Sequence, residues 1–79
     1  MKIYDFNGRK NICGSRVKEA RRKLKLSQEN LAAKLQVEGV NIERDSVSRI
    51  EIGTRFVADY EIVALCKILN VTSEYLLGI

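Results

Sequence analysis

Histidine, proline and tryptophan are missing from these 79 residues, and cysteine occurs only at positions 13 and 66. Without histidine the chain lacks the side chain that most readily moves protons at neutral pH, and two cysteines alone do not make a zinc site. Cys13 and Cys66 therefore read as a buried small apolar residue and a bystander thiol rather than as a disulfide. No apolar run approaches the roughly 18 residues that would cross a membrane. The amino-terminal stretch MKIYDFNGRKN breaks its apolar residues with charges, so no secretory leader is expected and the expected location is cytoplasmic. The chain also has no phosphate-cradling glycine loop, no cysteine with a catalytic partner and no carboxylate pair with a pocket. An enzyme, a cofactor and a small-molecule ligand are all unexpected.

What is present is a chain of one domain with one small core. Hydrophobic residues make up 46% and aromatics only 6%, a balance that suits a compact all-helical bundle. The net charge of +4 hides an asymmetry. Residues 1–26 hold Lys2, Arg9, Lys10, Arg16, Lys18, Arg21, Arg22, Lys23 and Lys25 against only Asp5 and Glu19, while the remainder is net acidic. A basic stretch of this kind is the footprint of a polyanion binder, and also of a solvated lysine-rich helix face.

Hydrophobic spacing divides the chain into a short arm, residues 1–11, and a helical domain, residues 12–79. In the arm, Ile3, Tyr4 and Phe6 sit among polar residues. It reads as an extended segment that either frays or packs across the bundle or onto a second subunit, with Arg9 and Lys10 near a phosphate backbone. Asn11 is placed to cap a first helix from Ile12 to about Leu24, with Ile12, Val17, Ala20 and Leu24 as its apolar stripe. Ser27 caps a second helix whose stripe is Leu31, Ala32 and Leu35, and Gly39 supplies the left-handed residue that ends it. Val40 and Ile42 bracket Asn41, and Ile42 is expected to anchor the connection in the core. A third helix runs from about Arg44 to Ile52 and stops at Gly53. Its Val47 and Ile50 fall on one side, while Arg44, Asp45, Ser48 and Arg49 fan across the opposite arc, as a DNA-reading helix requires. Asp59 opens a fourth helix with the stripe Ile62, Leu65, Cys66 and Leu69, and Thr72 or Ser73 caps a last helix, SEYLL. The apolar tail Tyr75, Leu76, Leu77 and Ile79 reads either as core closure or as a self-association surface.

These residues carry a resemblance. RVKEARRKLKLSQENLAAKL, then SVSRIEIG, then IVALCKILNVTSEYLL is similar to the Cro/repressor-type, lambda-repressor-like helix-turn-helix family of phage and bacterial transcription regulators, from about Ile12 to Leu77. The resemblance implies an all-α, five-helix bundle whose second and third helices form the helix-turn-helix, with the third entering the major groove. It implies that Arg44, Asp45 and Arg49, with Ser48 between them, read bases. It also implies that Ser27, Gln28, Thr54 and Arg55 meet the phosphate backbone, and that Arg21 and Glu51 form a largely buried ion pair joining the first helix to the third. The sequence departs from the family in two places. The family passes from the last leucine of the second helix to the core residue of the third in about seven steps, whereas Leu35 to Val47 takes five more, a longer and looser turn. Val57 stands where a proline commonly precedes the fourth helix.

The chemistry of the third helix agrees. An arginine fork matches guanine O6 and N7 together, so Arg44 and Arg49 suit base reading, and each suits a phosphate equally. Asp45 can accept from cytosine, orient Arg49 one turn on, or stabilise the helix start, and the last two are favoured. The expected partner is double-stranded DNA, and the expected function is a sequence-specific transcriptional regulator, a repressor acting as a homodimer on a pseudo-palindromic operator. An antitoxin-type autoregulator, the DNA-binding part of a longer regulator, and a protein-interaction module built on the same bundle are the alternatives.

Overall fold

A computed structural model describes residues 5–79. Its elements are α1 (Gly14–Lys23), α2 (Gln28–Val37), α3 (Arg44–Ile52), α4 (Asp59–Leu69) and α5 (Ser73–Leu77). The fold is all-helical, with five helices among the described residues. α3 packs between α1 and α2, α4 closes the other side of α2 and α1, and α5 rests on α1 and α4. Each helix contributes its stripe to one core, in which Val17, Leu31, Leu35, Val47, Ile50, Leu65 and Leu76 are almost fully buried. Burying a side chain of this size contributes about 1.5–3 kcal/mol, so several of them together offset the ordering of such short helices.

The helices start and stop where local chemistry requires. Ser27 Oγ accepts the Asn30 N–H at 2.9 Å and Asn30 Oδ1 accepts the Ser27 N–H at 3.2 Å, a reciprocal cap on α2. Thr72, rather than Ser73, caps α5 by accepting from the Tyr75 N–H. Every helix ends on a residue in the left-handed region: Lys25, Gly39, Gly53, Asn70 and Gly78. The next residue's N–H then returns to a carbonyl five back, as in Leu26 to Arg21, Val40 to Leu35 and Thr54 to Arg49.

Four expectations are corrected. α1 begins at Gly14, not Ile12. Ile12 is exposed, Cys13 takes the buried place, and Leu24 at the far end is half in solvent. Asn11 does accept the Gly14 N–H at 2.8 Å, but its amide also donates to the carbonyls of Ile50 at 3.1 Å and Arg55 at 2.8 Å. It thus ties α1 to the end of α3. The arm is not extended where it is described: Asn7 and Gly8, both at positive φ, close a tight turn in which Phe6 and Arg9 exchange two backbone hydrogen bonds. Lys2, Ile3 and Tyr4 lie outside the described residues. The long α2–α3 connection is not loose either. Val40 and Ile42 are both buried, and the Gln36 amide donates to the Ile42 carbonyl at 2.8 Å. The added residues form a second core contact.

Gly14 also has a task that helix propensity does not show. A Cβ at this position would strike the Ile50 carbonyl oxygen and lie 2.9 Å from that of Glu51, because α1 begins against the backbone of α3. Gly14→Ala, normally favourable in a helix, should therefore cost about 1–3 kcal/mol by forcing the two helices apart. Urea denaturation checks this, and a variant as stable as the parent would show the approach to be looser than described.

Candidate nucleic-acid interface

The face of α3 turned away from Val47 and Ile50 carries Arg44, Asp45, Ser48 and Arg49, and all but the half-buried Ser48 are exposed. What holds that face in place lies behind it. Glu51, only 5% exposed, receives Arg21 through Nε at 2.6 Å and Nη2 at 3.1 Å, and the Gln28 amide at 3.0 Å. Arg21 Nη1 donates in turn to the Leu26 carbonyl at 2.7 Å. One carboxylate therefore fastens α1, the α1–α2 turn, the first residue of α2 and α3 together, and every oxygen of the pair has a donor. Burying two charges costs several kcal/mol each, and only a bidentate, fully hydrogen-bonded geometry of this kind recovers it.

The remaining residues implied by the family resemblance fall into different settings. Gln28, implied for phosphate, has its side-chain amide turned to Glu51 at 3.0 Å, and as the first residue of α2 its backbone N–H is one of those a helix start leaves without a partner inside the helix. Ser27 Oγ accepts within the α2 cap and keeps its own hydrogen as a donor. Thr54 lies exposed just past α3, its N–H on the Arg49 carbonyl at 2.9 Å and its hydroxyl donating to the same carbonyl over a long 3.4 Å. Asp45 pairs with Arg44 at 3.3 Å, not with Arg49 one turn on. Both partners of that pair stand in solvent, where such a contact is weak and easily exchanged. Asp45 also sits in the first turn of α3, where a negative charge meets the positive end of the helix dipole. Glu29, Glu43, Arg44 and Asp45 line an open cleft between α2 and α3 with Ala32, Ala33 and Gln36. The rim nearest Arg44 is thus acidic, and a polyanion approaching there must be met by Arg44 itself.

Arg55 is engaged in a way that the resemblance does not anticipate. Its guanidinium grips Glu61 at 2.9 Å through Nη1 and again at 2.9 Å through Nη2, while Nη1 also reaches the Phe56 carbonyl. Glu61 Oε1 accepts the Ala58 N–H at 2.9 Å, capping α4 where Ala58 has no hydroxyl to do so. Burial disfavours the Glu61 carboxylate, but the Arg55 and Ala58 hydrogen bonds and the Arg55 charge outweigh it and hold its pKa below the ordinary value. The spacing of Arg55 and Glu61 around a capped helix start is a signal the sequence contains. Arg55 is a structural clamp first, and Nε is left for any outside anion.

Two measurements follow from these clusters. Glu51→Ala should destabilise the fold by about 3–5 kcal/mol, since the Arg21 guanidinium stays buried without its partner. A double-mutant cycle with Arg21→Ala should show strong coupling, and additive losses would show that the two side chains act apart. For Glu61, a depressed folded pKa means stability that is fully present above the carboxylate's ordinary pKa and is lost as the pH falls from there through the lower folded value. The parent should lose stability on acidification below about pH 5 more steeply than Glu61→Gln, which has no proton to take up there. Identical pH profiles would remove Glu61 from the acid response.

A helix-turn-helix family model matches residues 17–76. The crystal structure of the restriction-modification controller protein C.AhdI from Aeromonas hydrophila superposes with a TM-score of 0.69 at 32% identity, covering 80% of this chain and 88% of that one. No curated protein matches. The stretch matched by the family model runs from the first core residue of α1 into α5 and takes in the Glu51 cluster and the exposed face of α3. This chain belongs to the helix-turn-helix family of lambda-repressor-like DNA-binding transcription regulators.

Proposed function

We propose that this protein is a sequence-specific repressor that binds a pseudo-palindromic operator as a homodimer, with α3 in the major groove. The observation that carries this reading is the exposed arc of Arg44, Asp45, Ser48 and Arg49 on a helix anchored from behind by Glu51. A reading helix needs both features, because a base-edge hydrogen bond is specific only if the side chain starts from a fixed place. Arg44, at the helix start, is the chief base reader, and its exposed partner Asp45 keeps the fork extended until guanine replaces it. Ser48 supports it along the groove, and Arg49, more than a turn later, lies at the groove rim. Ser27, the backbone of Gln28, and Thr54 meet phosphates, with Arg55 contributing through Nε. Repression follows most simply from occupancy of the operator. The likeness to a restriction-modification controller favours a second reading in which this chain is itself such a controller. The two readings share the site and differ in what lies beside it on the DNA.

One copy offers a single reading helix, so a symmetric operator calls for a second copy. The tail contributes less to that pairing than its composition implies. Leu76 is fully buried, Tyr75 and Leu77 partly so, and only Ile79 stands free. Tyr60 and Val63, three residues apart on the outer side of α4 and 65% and 70% exposed, are the larger apolar surface and the better candidate for the dimer contact.

Arg44→Lys is the sharp test of the reading role, because it keeps the charge and removes the fork. On the preferred duplex Arg44→Ala should lose about 1–3 kcal/mol and relax the choice at one base pair, and Arg44→Lys should relax it too. Full discrimination by Arg44→Lys, together with equal losses by Arg44→Ala on preferred and random duplexes, would make Arg44 a phosphate clamp. For assembly, sedimentation of the complex should give two chains per duplex on half-sites about 34 Å apart. A one-to-one complex on an asymmetric site would refute the dimer.

A further inference from the structure

Residues 5–11 precede the stretch matched by the family model, so that match assigns them no task. The structure gives them a fixed place against the end of α3. Asn7 and Gly8 turn the chain, the Lys10 N–H donates to the Gly53 carbonyl at 2.8 Å, and Asn11 holds the carbonyls of Ile50 and Arg55. Lys10 is thereby brought into one open depression with Arg49, Thr54, Arg55 and Phe56. Three cations from the turn, the reading helix and the following loop line it. The one carboxylate close to that lining from the loop side, Glu61, is already filled by Arg55. The other anion nearby is Asp5, paired with Lys10 in solvent, where an ion pair is weak and exchangeable. Arg49 has no ion-pair partner among the described residues.

We propose that this depression is a phosphodiester site: Lys10, carried by the amino-terminal turn, joins Arg49 and Thr54 on one backbone phosphate of the bound duplex, and that phosphate displaces Asp5 from Lys10. The assignment rests on the DNA-reading role of α3 proposed above. Its chemistry is that of the lining, in which an ammonium and a guanidinium donate and the Thr54 hydroxyl can turn from its long 3.4 Å contact with the Arg49 carbonyl to donate as well. A phosphate offers only acceptors and matches this set, whereas a base edge also brings donors that would find few partners. Because Lys10 is anchored through its backbone N–H, the turn and its docking survive loss of the side chain.

Duplex binding by the parent, Lys10→Ala and Asp5→Asn, measured across a salt series on a preferred and a random duplex, tests this. Lys67→Ala is the control, since Lys67 lies in a separate depression with Lys34, Val37 and Glu38. Lys10→Ala should melt like the parent and bind both duplexes more weakly, with a salt slope shallower by about one. Its deficit should therefore shrink about threefold between roughly 50 and 200 mM salt. Asp5→Asn should bind more tightly than the parent, and Lys67→Ala should keep the parent slope. An unchanged slope for Lys10→Ala, or weaker binding by Asp5→Asn, overturns the site. A saturable response to inorganic phosphate at constant ionic strength that needs Lys10, with the duplex slope unchanged, also overturns it by placing a free anion there. If the parent shows no salt-dependent duplex binding at all, it is the DNA-reading role that fails, a result distinct from each of these.

Discussion

The carboxylate of Glu51 is the constraint on which the arrangement of this bundle depends. A buried charge is tolerated only when its partners come to it, and here they come from three places: Arg21 of α1, Gln28 at the start of α2, and through Arg21 the Leu26 carbonyl between them. Apolar packing alone tolerates rotation and sliding, because Val47 and Ile50 are content in any dry contact. A bidentate ion pair is not. The Glu51 cluster therefore converts a generic helical core into one orientation of α3, and that orientation decides which side chains face outward.

The second device is the set of backbone contacts at the carboxyl end of α3. The Ile50 carbonyl receives Asn11, the Gly53 carbonyl receives Lys10, and the glycine at position 14 lets α1 begin against the same backbone. The last carbonyls of a helix lack partners within it, and here the segment before α1 gives the Gly53 carbonyl a donor and adds a second one to Ile50, which also accepts the Gly53 N–H. At the opposite end, the lengthened α2–α3 connection is drawn into the core by Val40 and Ile42. α3 is thus held behind, at its end and at its approach, while its outer arc stays open.

How much of this the sequence discloses depends on distance along the chain. Periodicities such as Ile62, Leu65 and Leu69, and stop signals such as Gly39 and Gly53, act over a turn or two, and the helices they mark lie close to where they are expected. The fold class was legible for that reason. The pairing of Arg21 with Glu51 was accessible through family resemblance, because no local rule connects residues 30 apart. Asn11 shows the limit: its cap on Gly14 is local and readable, while its two bonds to Ile50 and Arg55 depend on how α1 meets α3. Arg55 could not be assigned from its type, since a guanidinium suits a phosphate as well as the carboxylate of Glu61 that it meets. The Asn7–Gly8 pair is a strong short-range turn signal, and the arm around it reads as extended only when its apolar residues are weighed first.

The outer arc of α3 draws little on the fold for partners of its own. Arg44 and Asp45 hold each other in solvent and Arg49 has no ion-pair partner among the described residues, whereas the Arg21–Glu51 and Arg55–Glu61 pairs behind and beside α3 are half-buried or deeper. A face built to be satisfied by the fold itself would show the reverse. Whether this face reads DNA sequence is decided by selecting duplexes from a random pool with the intact protein at moderate salt. The expected result is an enriched site of two-fold symmetry, with guanine at the position in each half that meets the start of α3. A pool that stays random through successive rounds, although the protein remains folded and retains duplex, would contradict it.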